Sequence, residues 1–197
     1  MLHVRQRKMT PCATIRLLFA LATAAGIFTA ASSPARADGP APDKATAKFE
    51  IRFMQDMIDH HQMAVMMAEQ CVAKAVHEDL RTLCQNIITT QTREIQEMQS
   101  WLRDWYGVNY EPQMKPGDMK MIERLASLSG AEFEIEFMEM MIKHHLAAIR
   151  EASKCEDRAY HEELRELCEN IITTQAAEIE QMRTWLCQWY GVCKRSR

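Results

Sequence analysis

Two adjacent histidines, with methionines one and two helical turns before them, occur twice in this chain. The first copy runs from Phe53 to His61 as FMQDMIDHH, and the second runs from Phe137 to His145 as FMEMMIKHH. Thioether sulfur is a soft ligand that selects Cu(I), and imidazole binds zinc or copper in either oxidation state. The recurrence of both ligand types in one arrangement favours a metal-binding segment that is used twice.

The methionine and histidine segments belong to a longer internal duplication. Positions 49–108 align without a gap with positions 133–192, at a constant offset of 84 residues. All histidines except His3 fall in matched pairs, and so do four of the cysteines. The histidine pairs are His60 with His144, His61 with His145, and His77 with His161. Such a repeat indicates one supersecondary unit used twice.

A carboxylate and a carboxamide follow the histidines in each repeat, on an otherwise apolar helical stripe. A buried carboxylate is costly unless it is paired or binds a metal. Glu94 is therefore expected either to join the metal ligands or to form a structural ion pair with His61. The candidate ligands, all duplicated and all on or beside inward faces, are Met54, Met57, His60, His61, Gln91, Glu94, Met98, Met138, Met141, His144, His145, Gln175, Glu178 and Met182.

Methionine is also a common core residue, so part of this pattern has a purely structural explanation. Met63 and Met66 have no duplicate, and packing or surface exposure accounts for them equally well. Three further methionines in the linker, Met114, Met119 and Met121, could form a looser, exposed site. Copper is the first expectation for the duplicated set, with Cu(I) favoured and Cu(II) open. Zinc is the alternative if only histidine and glutamate bind.

Helical periodicity predicts two helices in each repeat. In the first repeat, apolar residues recur on one face from 50 to 71 and again from 78 to 106, where Gly107 marks the end. Turns near 73–77 and 157–161 make each repeat an antiparallel hairpin. Neither hairpin can bury its apolar face alone. The sequence therefore predicts an all-α fold, a four-helix bundle built from two duplicated αα-hairpins.

The segments outside the repeats are predicted to be a signal peptide at 1–37, a flexible lead at 38–48 and a linker at 109–130. The two repeats, 49–108 and 131–193, should form one domain. In the linker, 118–128 is typical of a short helix, with Asp118 as its cap and Gly130 as its stop.

The amino terminus has the features of an export signal. A basic start precedes an apolar run from Leu17 to Ala31, and Ala35-Arg36-Ala37 fits a cleavage site. The run is shorter than the ~20 residues that a membrane-spanning helix needs. We therefore expect a soluble periplasmic or secreted protein without a membrane partner. Cleavage would leave 19 basic and 27 acidic residues, a balance that argues against nucleic acid as a partner.

The cysteines are expected to form disulfides in an oxidising compartment. Cys71 and Cys84 face each other across the first hairpin turn, as do Cys155 and Cys168 across the second. Cys187 and Cys193 have no counterparts in the first repeat and could pin the carboxyl end. Thiolate metal ligands are the competing interpretation.

The motifs resemble those of the DUF305 family. Met-x2-Met-Ile-x-His-His stands at 54–61 and 138–145, and Gln-x2-Glu-Ile-x2-Met follows at 91–98 and 175–182. The resemblance implies a ferritin-like four-helix bundle, exported, that takes part in copper binding or resistance. The cysteines are a departure from the family pattern. Arg150 and Glu151 also stand where Met or Ala is expected, which predicts a weaker second site.

These observations favour a copper-binding protein for sequestration, transfer or resistance, and not an enzyme. Carboxylate di-iron bundles use Glu-x-x-His, and no glutamate precedes His60, His61, His144 or His145 by three residues. Metal ions are the expected ligands, with another copper-handling protein as a candidate partner. The alternative is a structural or partner-binding bundle, or a protein for zinc or another metal.

Overall fold

The computed structural model describes residues 39–193, which form five helices and no strand. The helices are α1 (Lys44–Lys74), α2 (Glu78–Tyr106), α3 (Pro116–Ala126), α4 (Gly130–Arg158) and α5 (Glu162–Tyr190). The all-α fold predicted from the sequence is confirmed. The predicted signal peptide lies outside the described residues. Within them, none of the helices combines the length and apolarity needed to cross a membrane.

Local capping explains where the long helices begin and end. Asp43 Oδ1 accepts hydrogen bonds from the backbone N–H groups of Ala45 (3.0 Å) and Thr46 (2.9 Å), which fixes the start of α1. The helix thus begins inside the segment predicted to be a flexible lead. At the other end of the hairpin, α2 stops at Gly107, whose φ of 65° is left-handed. A side chain would be strained in that conformation.

The linking helix predicted at 118–128 is present as α3, but its boundaries lie two residues earlier at each end. It begins at Pro116 rather than after a cap at Asp118, because proline has a helical φ and lacks only an N–H that the first turn does not use. It ends at Ala126, and Gly130 is the first residue of α4 rather than the stop of α3. The positive φ of Gly130, 55°, turns the chain into α4.

The two hairpins pack with approximate twofold symmetry, and α1 and α4 run antiparallel to each other. Within each hairpin the two helices lie side by side, and α1 against α4 joins the hairpins. One core cluster combines Phe53 of α1 with Cys155 of α4, and the other combines Phe133 of α4 with Cys71 of α1. The middle of α1 and the middle of α4 therefore face each other, which brings the four central histidines together.

A buried carboxylate near the start of α1 locks it to the opposite hairpin. Glu50 accepts hydrogen bonds from the backbone N–H groups of Tyr160 (2.6 Å) and His161 (3.1 Å), from His161 Nδ1 (2.6 Å) and from the hydroxyl of Tyr106. Glu134 repeats this arrangement with Val76, His77 and Tyr190. The third histidine pair, His77 and His161, therefore has a structural role.

Three disulfides join the six cysteines of the described chain. Cys71–Cys84 and Cys155–Cys168 each link the two helices of a hairpin, which is the pairing that the hairpin turns predict. Cys187–Cys193 ties the end of α5 to the residues that follow it. Because all six sulfurs are in disulfides, none is a thiolate ligand in this structure.

Candidate metal-binding centre

Adjacent histidines on α1 and α4 point in two directions at the centre of the bundle, since neighbouring helical residues are separated by ~100°. The rings of His60 and His144 lie against each other, with their centroids 3.5 Å apart. His61 and His145 instead face the second helix of their own hairpin. The sequence assigned His60 and His144 to separate sites, whereas the structure brings them into contact.

His61 and His145, which we call the inner histidines, are hydrogen-bonded to the glutamates of the apolar stripes. His61 Nε2 lies 2.8 Å from Glu94 Oε2, and His145 Nε2 lies 2.6 Å from Glu178 Oε2. A carboxylate only accepts hydrogen bonds, so each Nε2 carries the proton and the Nδ1 of a neutral ring has a free lone pair. Both Nδ1 atoms are buried and have no partner among the described residues. Metal-binding histidines commonly donate their other N–H to a carboxylate in this way.

His60 and His144, which we call the outer histidines, are neutral at physiological pH. Burial, followed by the neighbouring His61 and His145, lowers the pKa of His60 to about 3. Burial, together with the same histidine cluster, also lowers the pKa of His144 well below its usual value of 6.5. Among residues 39–193, neither ring nitrogen of His144 has a hydrogen-bond partner, and Nδ1 of His60 has none. Each neutral ring has one nitrogen with a lone pair, which can bind a ligand.

A methionine-lined cleft opens onto the outer histidines. It lies between α1, α3 and α4 and has a volume of about 410 Å³. Its walls include the two outer histidines and four methionines: His60, His144, Met63, Met67, Met121 and Met140. We call it the methionine cleft. Met67 is fully buried, and Met121, on α3, is 43% exposed.

Most methionines of this cleft were not predicted to be ligands from the sequence. Sequence reasoning left Met63 between packing and surface exposure, placed Met121 in a separate linker site, and selected neither Met67 nor Met140. One signal was present: Met63 and Met67 follow His60 by three and seven residues, which places all three on one face of α1. The approach of Met121 depends on how α3 docks, and helical periodicity does not carry that information.

The twofold-related cleft between α1 and α4 has a volume of about 550 Å³ but little sulfur. The duplication pairs Met67 with Glu151 and Met140 with Asp56, so acidic residues replace two of the thioethers. Met57 and His60 remain at its wall, beside several basic residues that include Arg150. The two repeats thus share a fold and differ in the chemistry of their clefts.

Comparison with known proteins places the chain in a family. The profile of DUF305, a domain of unknown function, matches residues 50–186. The chain belongs to the DUF305 family. Among solved structures, CopM in its Cu(I)-bound form is 36% identical, with a TM-score of 0.65 over 72% of this chain and 98% of CopM. CopM in its Cu(II)-bound form gives 36% and 0.66, over 72% and 97%.

A more distant structure shares the DUF305 fold. The protein from Streptomyces coelicolor is 23% identical, with a TM-score of 0.65 over 76% of this chain and 96% of its own. A search of the curated proteins finds no match.

Within this DUF305 fold, the ligands predicted from sequence separate into three groups. Met54, Met57, Met98, Met138, Met141 and Met182 are at most 2% exposed and belong to the two core clusters. The four histidines occupy the centre. Gln91, Glu94, Gln175 and Glu178 line a small cavity between α2 and α5. In residues 39–193, no three His, Cys, Asp or Glu side chains converge to hold a metal, so a metal here requires thioether or amide donors as well.

Proposed function

We propose that this protein binds copper, with Cu(I) as the preferred form, in the methionine cleft. One observation carries the proposal: His60 and His144, whose buried ring nitrogens lack partners in the described part of the chain, line the same cleft as four methionines. Soft sulfur favours Cu(I) over zinc, and imidazole binds both. The similarity to CopM, whose structures include Cu(I)-, Cu(II)- and silver-bound forms, supports the same metal class.

The proposed ligands differ in donor type and in their position in the cleft. His60 and His144 supply the imidazole donors, and Met63, Met67 and Met140 supply sulfur from the walls. The partly exposed Met121 at the mouth would meet the ion first. Behind them, Glu94 and Glu178 orient His61 and His145, whose Nδ1 atoms are also without partners. When bound, copper would satisfy lone pairs that are otherwise buried at a cost.

The cellular role that follows is copper sequestration, transfer or resistance in the periplasm or outside the cell. Export rests on the predicted signal peptide, residues 1–37, and the disulfides suit an oxidising compartment. We further propose a binding protein rather than an enzyme. Support for this is that the central histidines lie among thioether sulfurs and core residues, and that the described residues place no Glu-x-x-His motif beside them.

A sulfur-removal experiment tests the proposal. Anaerobic Cu(I) titration against a competing chromogenic chelator should show weaker binding for M63L/M67L than for the wild type. Leucine retains volume and apolarity, so stability should change by less than about 1.5 kcal/mol. The matched control M54L/M138L changes two buried methionines outside the cleft and should bind as the wild type does.

Two outcomes would contradict the proposed site. A loss of Cu(I) affinity in M54L/M138L alone would indicate that copper binds at the buried methionines of the core instead. Unchanged affinity and unchanged selectivity over zinc in both variants would show that the sulfurs only pack. The remaining hypotheses would then be a His/Glu site for zinc or Cu(II), or a structural bundle.

A further inference from the structure

A second polar cavity lies between α2 and α5 and shares no lining residue with the methionine cleft. Its volume is about 10 Å³, close to the minimum that holds one water molecule or one monatomic ion. The walls are formed by two copies of the same four residues: Ile87, Thr90, Gln91 and Glu94, and Ile171, Thr174, Gln175 and Glu178. The duplication therefore surrounds one small space with paired oxygen groups.

Two buried carboxamide oxygen atoms at this cavity lack partners within the described chain. Gln91 and Gln175 are each 3% exposed, and the Oε1 atom of each is buried without a hydrogen bond. Glu94 and Glu178 bind their histidines through Oε2. No hydrogen bond from residues 39–193 reaches the other oxygen of either carboxylate. Buried oxygen atoms without partners are destabilising unless a ligand satisfies them.

The charge and donor type identify the ligand class. Two carboxylates and two carboxamide oxygens form a hard, all-oxygen set that suits a divalent cation of the Mg²⁺ or Mn²⁺ type. Both Mg²⁺ and Ca²⁺ need about six or more oxygen ligands, but Mg²⁺ is smaller than Ca²⁺ and usually keeps some of its own water ligands, so the smaller ion suits this cavity. Thr90 and Thr174 border the cavity, and Thr174 is exposed, so the route from solvent is short. We infer that this cavity binds one small, hard divalent cation through Gln91, Glu94, Gln175 and Glu178.

Such an ion would link the two hairpins. α1 and α4 make the principal contact between them, whereas α2 and α5 touch little. A cation held by one Gln/Glu pair from each of α2 and α5 would join these two helices where side-chain packing does not. The site differs in ligand chemistry from the copper cleft, but Glu94 and Glu178 also orient the histidines behind that cleft. Q91L/Q175L, rather than E94Q/E178Q, therefore separates the two sites.

Manganese is the probe for this site. Metal-free protein is titrated with MnCl₂, and free Mn²⁺ is followed by its electron paramagnetic resonance signal. The wild type should bind one Mn²⁺ per chain. Q91L/Q175L removes both carboxamides at similar volume and should weaken binding at least about tenfold. The control Q96L/Q181L changes exposed glutamines on the same two helices and should bind as the wild type does.

A second variant keeps the test decisive if Q91L/Q175L does not fold. E94Q/E178Q keeps the shape of the side chains, removes both charges and should also lose Mn²⁺. Anomalous scattering from Mn²⁺ between α2 and α5 would support the site.

If the wild type binds no more Mn²⁺ than Q91L/Q175L, the cavity holds water and the inference is wrong. Loss of Mn²⁺ in M63L/M67L would instead place the ion in the methionine cleft, and Cu(I) titration of the same variants reports separately on the copper site.

Discussion

At the level of single residues, two adjacent histidines have different surroundings: His60 contacts His144, whereas His61 contacts Glu94. Both were predicted to lie on the inward face, because duplication and helical position agree. The contact of His61 with Glu94 was one of two outcomes anticipated for a carboxylate on an apolar stripe. Met121 lines the same cleft as His60 because α3 docks against α1 and α4. That contact is tertiary, so no periodic signal in the sequence reports it.

The neutral outer histidines predict how stability depends on pH. The unfolded chain binds protons near pH 6.5, whereas the folded pKa of His60 is about 3 and that of His144 is well below 6.5. Stability is thus fully present above pH 6.5 and is lost as pH falls from 6.5 toward 3. His60 should contribute a slope of about 1.4 kcal/mol per pH unit within this window, and His144 should add to the loss in the same direction.

Urea unfolding of the metal-free protein at pH 7.5 and at pH 5 measures this effect. H60F/H144F retains two aromatic rings at these positions and cannot titrate, so it should lose less stability than the wild type between the two pH values. An equal loss in both proteins would mean that other groups control acid sensitivity.

At the level of helices, sequence signals located α2 at both ends and misplaced the starts of α1 and α3. α2 begins after His77 and ends at Gly107, and both boundaries coincide with the limits of its apolar stripe. α1 begins earlier than its stripe, because the cap at Asp43 extends the helix into polar sequence. Pro116 does the same for α3. Periodicity alone therefore misplaced the start of α1, whereas the choice of Asp118 over Pro116 misplaced the start of α3.

The buried carboxylates near the starts of α1 and α4 should be strong determinants of stability. Burial alone would raise the pKa of Glu134, but hydrogen bonds from Tyr190 and His77 and from the backbone lower it. The charged form is therefore stabilised in the fold. E134Q cannot accept from all these donors and should lose at least about 2 kcal/mol of unfolding free energy at pH 7.

The same linkage predicts the pH dependence of this loss. The contribution of Glu134 is present above its unfolded pKa of 4.5 and disappears as pH falls through its lower folded pKa. The difference between E134Q and the wild type should therefore shrink below pH 4. E132Q, which changes an exposed glutamate two residues earlier, is the control. If E132Q were as destabilised as E134Q, the buried hydrogen bonds would not be the cause.

At the level of the whole molecule, duplication yields a nearly symmetric bundle with two clefts of different chemistry. The sequence predicted both the duplication and the bundle, because the repeated apolar stripes leave each hairpin with an unburied face. It predicted two comparable metal sites, the second weakened at Arg150 and Glu151. The structure places the outer histidines of both repeats at one methionine cleft. Symmetry of fold therefore does not imply symmetry of ligands.

This asymmetry predicts that a second copper site can be restored by two substitutions. Asp56 and Glu151 occupy the twofold-related cleft at the positions equivalent to Met140 and Met67. D56M/E151M would place two thioethers near Met57 and His60, in a cleft that is already open to solvent. Both positions are exposed, so helix content should be unchanged. Cu(I) titration should rise from one ion per wild-type chain to two.

The M63L/M67L changes in the same background separate the two clefts. If each cleft binds independently, D56M/E151M/M63L/M67L should retain the new site and lose affinity at the original one. This would return the tight stoichiometry to one ion per chain. His60 borders both clefts, so a shared imidazole would instead make the second ion bind more weakly than the first.

A stoichiometry that stays at one in D56M/E151M, with wild-type affinity, would show that sulfur in the twofold-related cleft is not sufficient to create a site. The particular docking of α3 and Met121, which only one cleft possesses, would then be the feature that defines copper binding.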